Sequence, residues 1–192
     1  MEKIVYKHTL GYLLLFTALV TFSQNNYGTK TESTQLSLEG KTLRGYRTNF
    51  DYGWEEVRRG WWEYARKFGS PLNMKTYYKV TIPSETTDGN VDLEIFTQTT
   101  ECKGGTDFFL GLENETYKEQ ALALLIDFKK SFYINDLVEE IEEKQKLADD
   151  LGDEYREMVL ESRKQKLLQK INQLEKEVEA LKERIKEVER AG

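Results

Sequence analysis

Residues 74–82, Met74-Lys75-Thr76-Tyr77-Tyr78-Lys79-Val80-Thr81-Ile82, place Met74, Thr76, Tyr78, Val80 and Ile82 on one side of an extended chain and Lys75, Tyr77, Lys79 and Thr81 on the other. A period of two is the mark of a strand with one buried face. Pro83 ends it and Asp88-Gly89 supplies a turn. A second alternation follows in Val91, Leu93, Ile95 and Thr97, with Asp92, Glu94, Phe96 and Gln98 between them. After the glycine-containing loop Glu101–Gly105, a third short strand runs through Phe108, Leu110 and Leu112. Short connections between successive strands predict an antiparallel meander.

Helical spacing flanks this meander on both sides. Before it, Trp54, Val57, Trp61, Tyr64, Ala65 and Phe68 share one face, Asp51 is the expected N-cap and Gly69-Ser70-Pro71 stops the helix. After it, Asn114 caps a helix whose apolar face is Tyr117, Ala121, Leu124, Leu125, Phe128 and Phe132. The order α-β-β-β-α predicts a small α+β domain over residues 45–133, with both helices on one face of the sheet. Residues 24–44 read as a polar linker with a short alternation at Leu36 and Leu38 and an isolated Leu43, a pattern open to a weak edge strand.

Residues 134–192 nearly lose aromatic side chains and read as helical, with an interruption expected at Asp149–Asp153. The last heptads put Ile171, Val178 and Ile185 at a, and Leu160, Leu167, Leu174, Leu181 and Val188 at d. β-branched a positions with leucine at most d positions predict a parallel two-stranded coiled coil. The pairs Lys170 with Glu175, Glu177 with Lys182 and Arg184 with Glu189 have matching signs for that register, while Lys164 stands at an a position. The chain is thus expected to form a homodimer through Leu167, Ile171, Leu174, Val178, Leu181, Ile185 and Val188. The alternative is an antiparallel hairpin in which residues 135–150 fold back on the last helix.

Lys3 and Lys7 precede the apolar run Gly11–Val20, and the small residues Thr21 and Ser23 precede Gln24. Residues 1–23 therefore read as a secretory signal peptide cleaved before Gln24, which predicts a periplasmic or secreted protein. Retention as an anchor is disfavoured, because the run falls short of the roughly 20 residues that span a bilayer.

Composition removes several chemistries. With 28 Lys and Arg against 34 Asp and Glu, a net charge of −6 and no basic stripe, nucleic acid is not an expected partner. His8, the sole histidine, lies within the signal, and Cys102 is the sole cysteine. Ser-His and Cys-His catalysis and zinc sites built on histidine or several cysteines are excluded. An all-carboxylate metal site or a carboxylate pair survives these exclusions, but the acidic run from Glu139 to Glu154 lacks the spacing of a calcium loop and reads as a solvated helix face, so no catalytic residue, metal site or cofactor is expected. Cys102 is expected in a loop beside Lys103, either as a free thiol or in an intermolecular disulfide. The remaining candidates are Trp62, Tyr77, Phe96 and Phe109, rings on the side opposite the core that would form a ligand-binding surface or a subunit contact.

The Thr21-Phe22-Ser23/Gln24 junction and the stretch Gly60-Trp61-Trp62-Glu63-Tyr64-Ala65-Arg66-Lys67-Phe68-Gly69, followed by Pro71-Leu72-Asn73-Met74, resemble exported proteins of Bacteroidota that carry a C-terminal coiled coil. The resemblance covers most of the chain after residue 23 and implies export; it brings no activity and no catalytic residue. The expected function is that of an exported non-enzymatic interaction protein, dimerised by its coiled coil, whose α+β head binds a protein or envelope component. Alternatives are a glycan- or lipid-binding module using the four rings, and a carboxylate-dependent hydrolase.

Overall fold

The computed structural model describes residues 30–84 and 92–191, so the segment read as a signal peptide lies outside them. Two strands occupy what reads as linker, β1 (Glu32–Leu38) and β2 (Lys41–Phe50). β1 is the edge strand that the alternation of Leu36 and Leu38 allows, whereas β2 departs from the linker reading because it points Thr48 inward where an apolar residue would have marked the pattern. Thr48 Oγ1 donates to the Lys30 carbonyl at 3.0 Å and accepts from Lys129 Nζ at 3.2 Å, which makes a buried hydroxyl tolerable. Glu39 and Gly40 join the two strands with φ of 50° and 78°. Two successive positive φ values give the hairpin turn that matches strand twist.

The meander is present with four strands rather than three. After α1 (Trp54–Ala65) come β3 (Ser70–Asn73), β4 (Tyr78–Ile82), β5 (Leu93–Cys102) and β6 (Gly105–Leu112). What reads as one strand from Met74 to Ile82 is split, because Met74–Tyr77 forms a tight turn closed by Met74 N–H to the Tyr77 carbonyl at 2.9 Å. β6 returns to pair with β2, giving a six-stranded antiparallel sheet in the order β1-β2-β6-β5-β4-β3. A 3-10 turn at Glu115–Tyr117, capped by the Asn114 side chain, leads into α2 (Lys118–Glu157), and α3 (Glu161–Arg190) follows.

The core lies between one sheet face and the helices. Phe50, Trp61, Phe108, Phe128 and Tyr133 are all fully buried, with ring centroids such as Trp61–Phe128 at 5.1 Å and Trp61–Phe108 at 5.3 Å. Such tilted ring pairs contribute about 0.5–1.5 kcal/mol each beyond their buried area. Asp51, the expected N-cap of α1, instead accepts a hydrogen bond from the Tyr133 phenol, and the N-cap is Gly53, whose N–H donates to the Glu56 carboxylate at 3.1 Å.

The two C-terminal helices form an antiparallel hairpin within one chain. α2 runs unbroken through Asp149–Asp153, although Gly152 weakens it by about 1 kcal/mol. Burial of neighbouring Leu151 beside Leu167 and Leu174 offsets that loss. The chain reverses at Met158–Leu160, where ψ of 130° at Met158 and 113° at Leu160 leaves the helical region without help from glycine or proline. Lys144 then pairs with Glu177 at 2.8 Å, and Lys130 Nζ donates to the Glu189 carbonyl at 3.4 Å.

This arrangement uses the expected dimer seam inside the chain. Leu167 and Leu174 are buried in the distal cluster with Ile171 packed against it, while Val178, Leu181 and Val188 join the main core with Ile185 beside it. Glu177 faces Lys144 rather than Lys182, which pairs instead with Glu179 on its own helix at 2.7 Å. Lys164 lies 5.4 Å from the Tyr155 ring instead of in a charged seam. The expected boundary at residue 133 also falls inside α2, so the α+β unit and the root of the hairpin share one core.

Candidate binding site

Three of the four rings expected on the outer face are brought together, but they are buried. Tyr77, Phe96 and Phe109 are 5–6% exposed and form a second core with Leu43, against which Leu36, Leu38 and Met74 pack. The cause is curvature. Gly45 and Gly111 face each other across β2 and β6, and a Cβ on Gly45 would lie 2.0 Å from the Leu110 carbonyl oxygen. The Phe109 ring covers Gly111, where a Cβ would approach it to 2.5 Å. Such close approach lets the β1–β2 hairpin fold over the outer face. Its turn reaches Tyr77, whose phenol is held above its ordinary pKa by burial and by a hydrogen bond to the Glu39 carboxylate. These rings are therefore a covered core and offer no stacking surface.

Trp62 stands apart and belongs to a different constellation. Trp54, Arg58 and Trp62 follow one another at intervals of four along α1, so they line one side of the helix about one turn apart. The Arg58 guanidinium lies 5.8 Å from the Trp54 ring and 4.9 Å from the Tyr78 ring, and Tyr78 packs on Trp62 at 5.3 Å. The result is a continuous ladder of indole, guanidinium, phenol and indole.

Polar contacts fix the ladder. Arg58 Nε donates to the Tyr78 hydroxyl at 3.0 Å, and Nη2 donates to Asn73 Oδ1 at 2.9 Å and to the Lys75 carbonyl at 3.1 Å. Lys75 is held at φ 73°, a left-handed conformation costing roughly 1–2 kcal/mol, by its own N–H donating to Asn73 Oδ1 at 2.9 Å. That backbone expense aims a carbonyl at the guanidinium. On either side of the Arg58–Tyr78 contact lies an open cleft. One, about 390 Å³, is bounded by Trp54, Trp62 and Asn73; the other, about 340 Å³, by Trp54, Lys75 and the β5 residues Thr97 to Thr99.

Tyr78 is in the core as its alternation requires, Trp54 is only half-buried although it shares the apolar stripe of α1, and Trp62 lies off that stripe with Arg58. The available signal was the interval of four in Trp54-Arg58-Trp62, which marks a second helix face. Acidic groups near the helices are engaged otherwise: Asp127, Asp51 and Asp136 accept from the phenols of Tyr64, Tyr133 and Tyr52. Burial first, and the carboxylate bond second, raises the pKa of Tyr64 and Tyr133. Among the described residues no cluster of His, Cys, Asp and Glu is arranged to hold a metal ion.

Cys102 ends β5 opposite Gly105 rather than lying in a free loop, and Asn49 Nδ2 donates to its sulfur at 3.0 Å. Serine keeps an acceptor there, so Cys102→Ser is expected to change stability by less than about 0.5 kcal/mol in urea unfolding. A larger loss would mean that packing around the sulfur dominates.

Lys129 is buried beneath β2, with its ammonium 5.6 Å from the Phe50 ring. Burial pushes its pKa down to about 8, against the pull of the Asp51 carboxylate. Between that value and the ordinary lysine pKa the unfolded chain binds more protons, so Lys129 makes the fold more stable as pH rises through this window. Relative to Lys129→Met, the wild type should gain about 2 kcal/mol between about pH 7 and about pH 9.5, measured by urea unfolding. A difference that stays flat with pH would refute the buried titration.

Comparison of the chain with protein-family models, with curated proteins and with solved structures returns no match.

Proposed function

We propose that this chain is an exported, non-enzymatic interaction protein whose α+β head holds a component of the bacterial envelope on the Trp54-Arg58-Tyr78-Trp62 ladder. The observation that carries this reading is the ladder itself. Trp54, Arg58 and Trp62 are half-buried around the buried Tyr78 ring, and Arg58 is clamped by hydrogen bonds to Tyr78, Asn73 and the Lys75 carbonyl, beside two open clefts. Rigid aromatic and arginine groups lose little freedom on binding, which is why they carry much of the energy at binding surfaces. Export is supported by the N-terminal pattern, and the absence of histidine after residue 8 supports a binding rather than catalytic role.

Sedimentation with purified envelope fragments tests the reading. The protein lacking residues 1–23 is expected to co-sediment, and Trp54→Ala is expected to reduce binding about tenfold or more, the scale at which an anchor residue matters. Equal binding by Trp54→Ala, with its thermal midpoint unchanged, would remove the ladder from the account.

A further inference from the structure

The geometry points to an anionic sugar, a pyranose bearing a carboxylate, as the ligand of the cleft between Trp54 and the β5 residues Thr97 to Thr99. This rests on the ladder being the binding surface. Three features of the 340 Å³ cleft select the ligand class. The first is charge: Arg58 and Lys75 line it and, among the described residues, no carboxylate does, in a chain whose acidic residues outnumber its basic ones. Arg58 spends Nε and Nη2 on neutral acceptors, so Nη1 keeps two donors with no partner among the described residues. Nη1 can give a carboxylate oxygen a charge-assisted hydrogen bond from a guanidinium already held in place.

The second feature is Thr97. Its hydroxyl is buried, the residue is 1% exposed, and Oγ1 has no hydrogen-bond partner. It lies on the core-facing side of β5, cross-strand from Tyr78 and Leu110, where a valine would cost no unpaired polar group. A hydroxyl kept at the wall of a cleft without a partner is set to meet one from the ligand. The third feature is the rest of the lining: Thr76, Gln98 and Thr99 supply further hydroxyl and amide groups, and Trp54 supplies a ring face. Hydroxyl-rich walls, one stacking ring and a paired positive charge match a ring that has apolar C–H faces, several hydroxyls and one carboxylate. The adjoining 390 Å³ cleft, bounded by Trp54 and Trp62, gives a second unit of the same chain a place to lie.

The test is tryptophan fluorescence and calorimetric titration of the protein lacking residues 1–23. The probes are trisaccharides of galacturonate, glucuronate and mannuronate, the neutral trisaccharide of galactose, and a tetraglutamate peptide. At least one uronate trisaccharide is expected to bind, and the neutral trisaccharide to bind about tenfold or more weakly, the scale of a lost charge-assisted pair. Arg58→Gln should lower uronate affinity by a similar factor. Thr97→Val should lower it several-fold while leaving the thermal midpoint unchanged or raised, so weakened binding cannot be ascribed to unfolding. Tetraglutamate binding as tightly as the best uronate would overturn the sugar assignment, as would full affinity in both Arg58→Gln and Thr97→Val. Failure of all three uronates while envelope binding still depends on Trp54 would reject the anionic sugar and leave the ladder as the binding surface. Failure of both would reject the ladder as well.

Discussion

Replacing Val178 with lysine is expected to destabilise the α+β unit together with the helical hairpin by about 4 kcal/mol. Val178 is 6% exposed and lies in the main core with Leu181, Phe128, Tyr133 and Leu137. An unpaired charge at such a place costs roughly 3–5 kcal/mol. That is a large part of the total for a domain of this size, about 5–15 kcal/mol. Urea unfolding read by near-ultraviolet circular dichroism should show one transition, shifted to lower denaturant. Leu168→Lys, at a position on the same helix that is 45% exposed, should move it by less than about 0.5 kcal/mol. If α3 were a stalk separate from the head, the aromatic transition would not move in Val178→Lys.

Gly45→Val is expected to cost at least about 3 kcal/mol, the upper end of overpacking, because backbone rather than a flexible side chain blocks the new atoms. The Leu110 carbonyl and Gly111 Cα stand where the valine Cβ must go, so β2 has to separate from β6. Separation would also lift the hairpin that covers Phe96, Phe109 and Tyr77. The variant should therefore gain binding of a hydrophobic dye in parallel with its lost stability. Unchanged stability would mean that the sheet is flatter there than described and that the outer rings have another cover.

Much of the architecture was legible where periodicity and burial coincide. Val80 and Ile82, Leu93 and Ile95, and Phe108 and Leu110 alternate in the sequence and line one face of the sheet. The stripe Val57, Trp61, Tyr64 and Ala65 is buried on α1 as its spacing requires. β1 was legible only as a weak edge strand, because its half-buried face shows just the short alternation of Leu36 and Leu38, and β2 was not legible because Thr48 is buried through hydrogen bonds rather than hydrophobicity. The direction of the last helices was not legible either. A heptad records that one face is apolar, and Leu167, Leu174 and Leu181 satisfy a parallel partner or a preceding antiparallel helix equally well. The reversal at Met158-Val159-Leu160 carries no turn residue, so nothing local marked it.

The binding surface was misplaced for a related reason. Alternation assigned Tyr77, Phe96 and Phe109 to the outward face correctly, but it cannot register that a sheet curls and covers that face with its own hairpin. The groups that line the clefts were distributed among elements read separately: Trp54, Arg58 and Trp62 on α1, Asn73 at the end of β3, and Thr97 on β5. Only the sheet order, which brings β5 and β4 beneath α1, assembles them.

The account turns on the hairpin closing within one chain and completing the core of the head. The most direct measurement is the distance between spin labels at Glu143→Cys and Lys176→Cys, in a Cys102→Ser background, with labelled protein diluted into excess unlabelled chain to suppress distances between molecules. These positions adjoin the Lys144–Glu177 ion pair. Packed helices lie about 8–10 Å apart, so with the reach of the labels a single distance under about 25 Å is predicted. A helix continuous from one label to the other, as in a parallel stalk, would hold them about 50 Å apart, and that result would contradict the account.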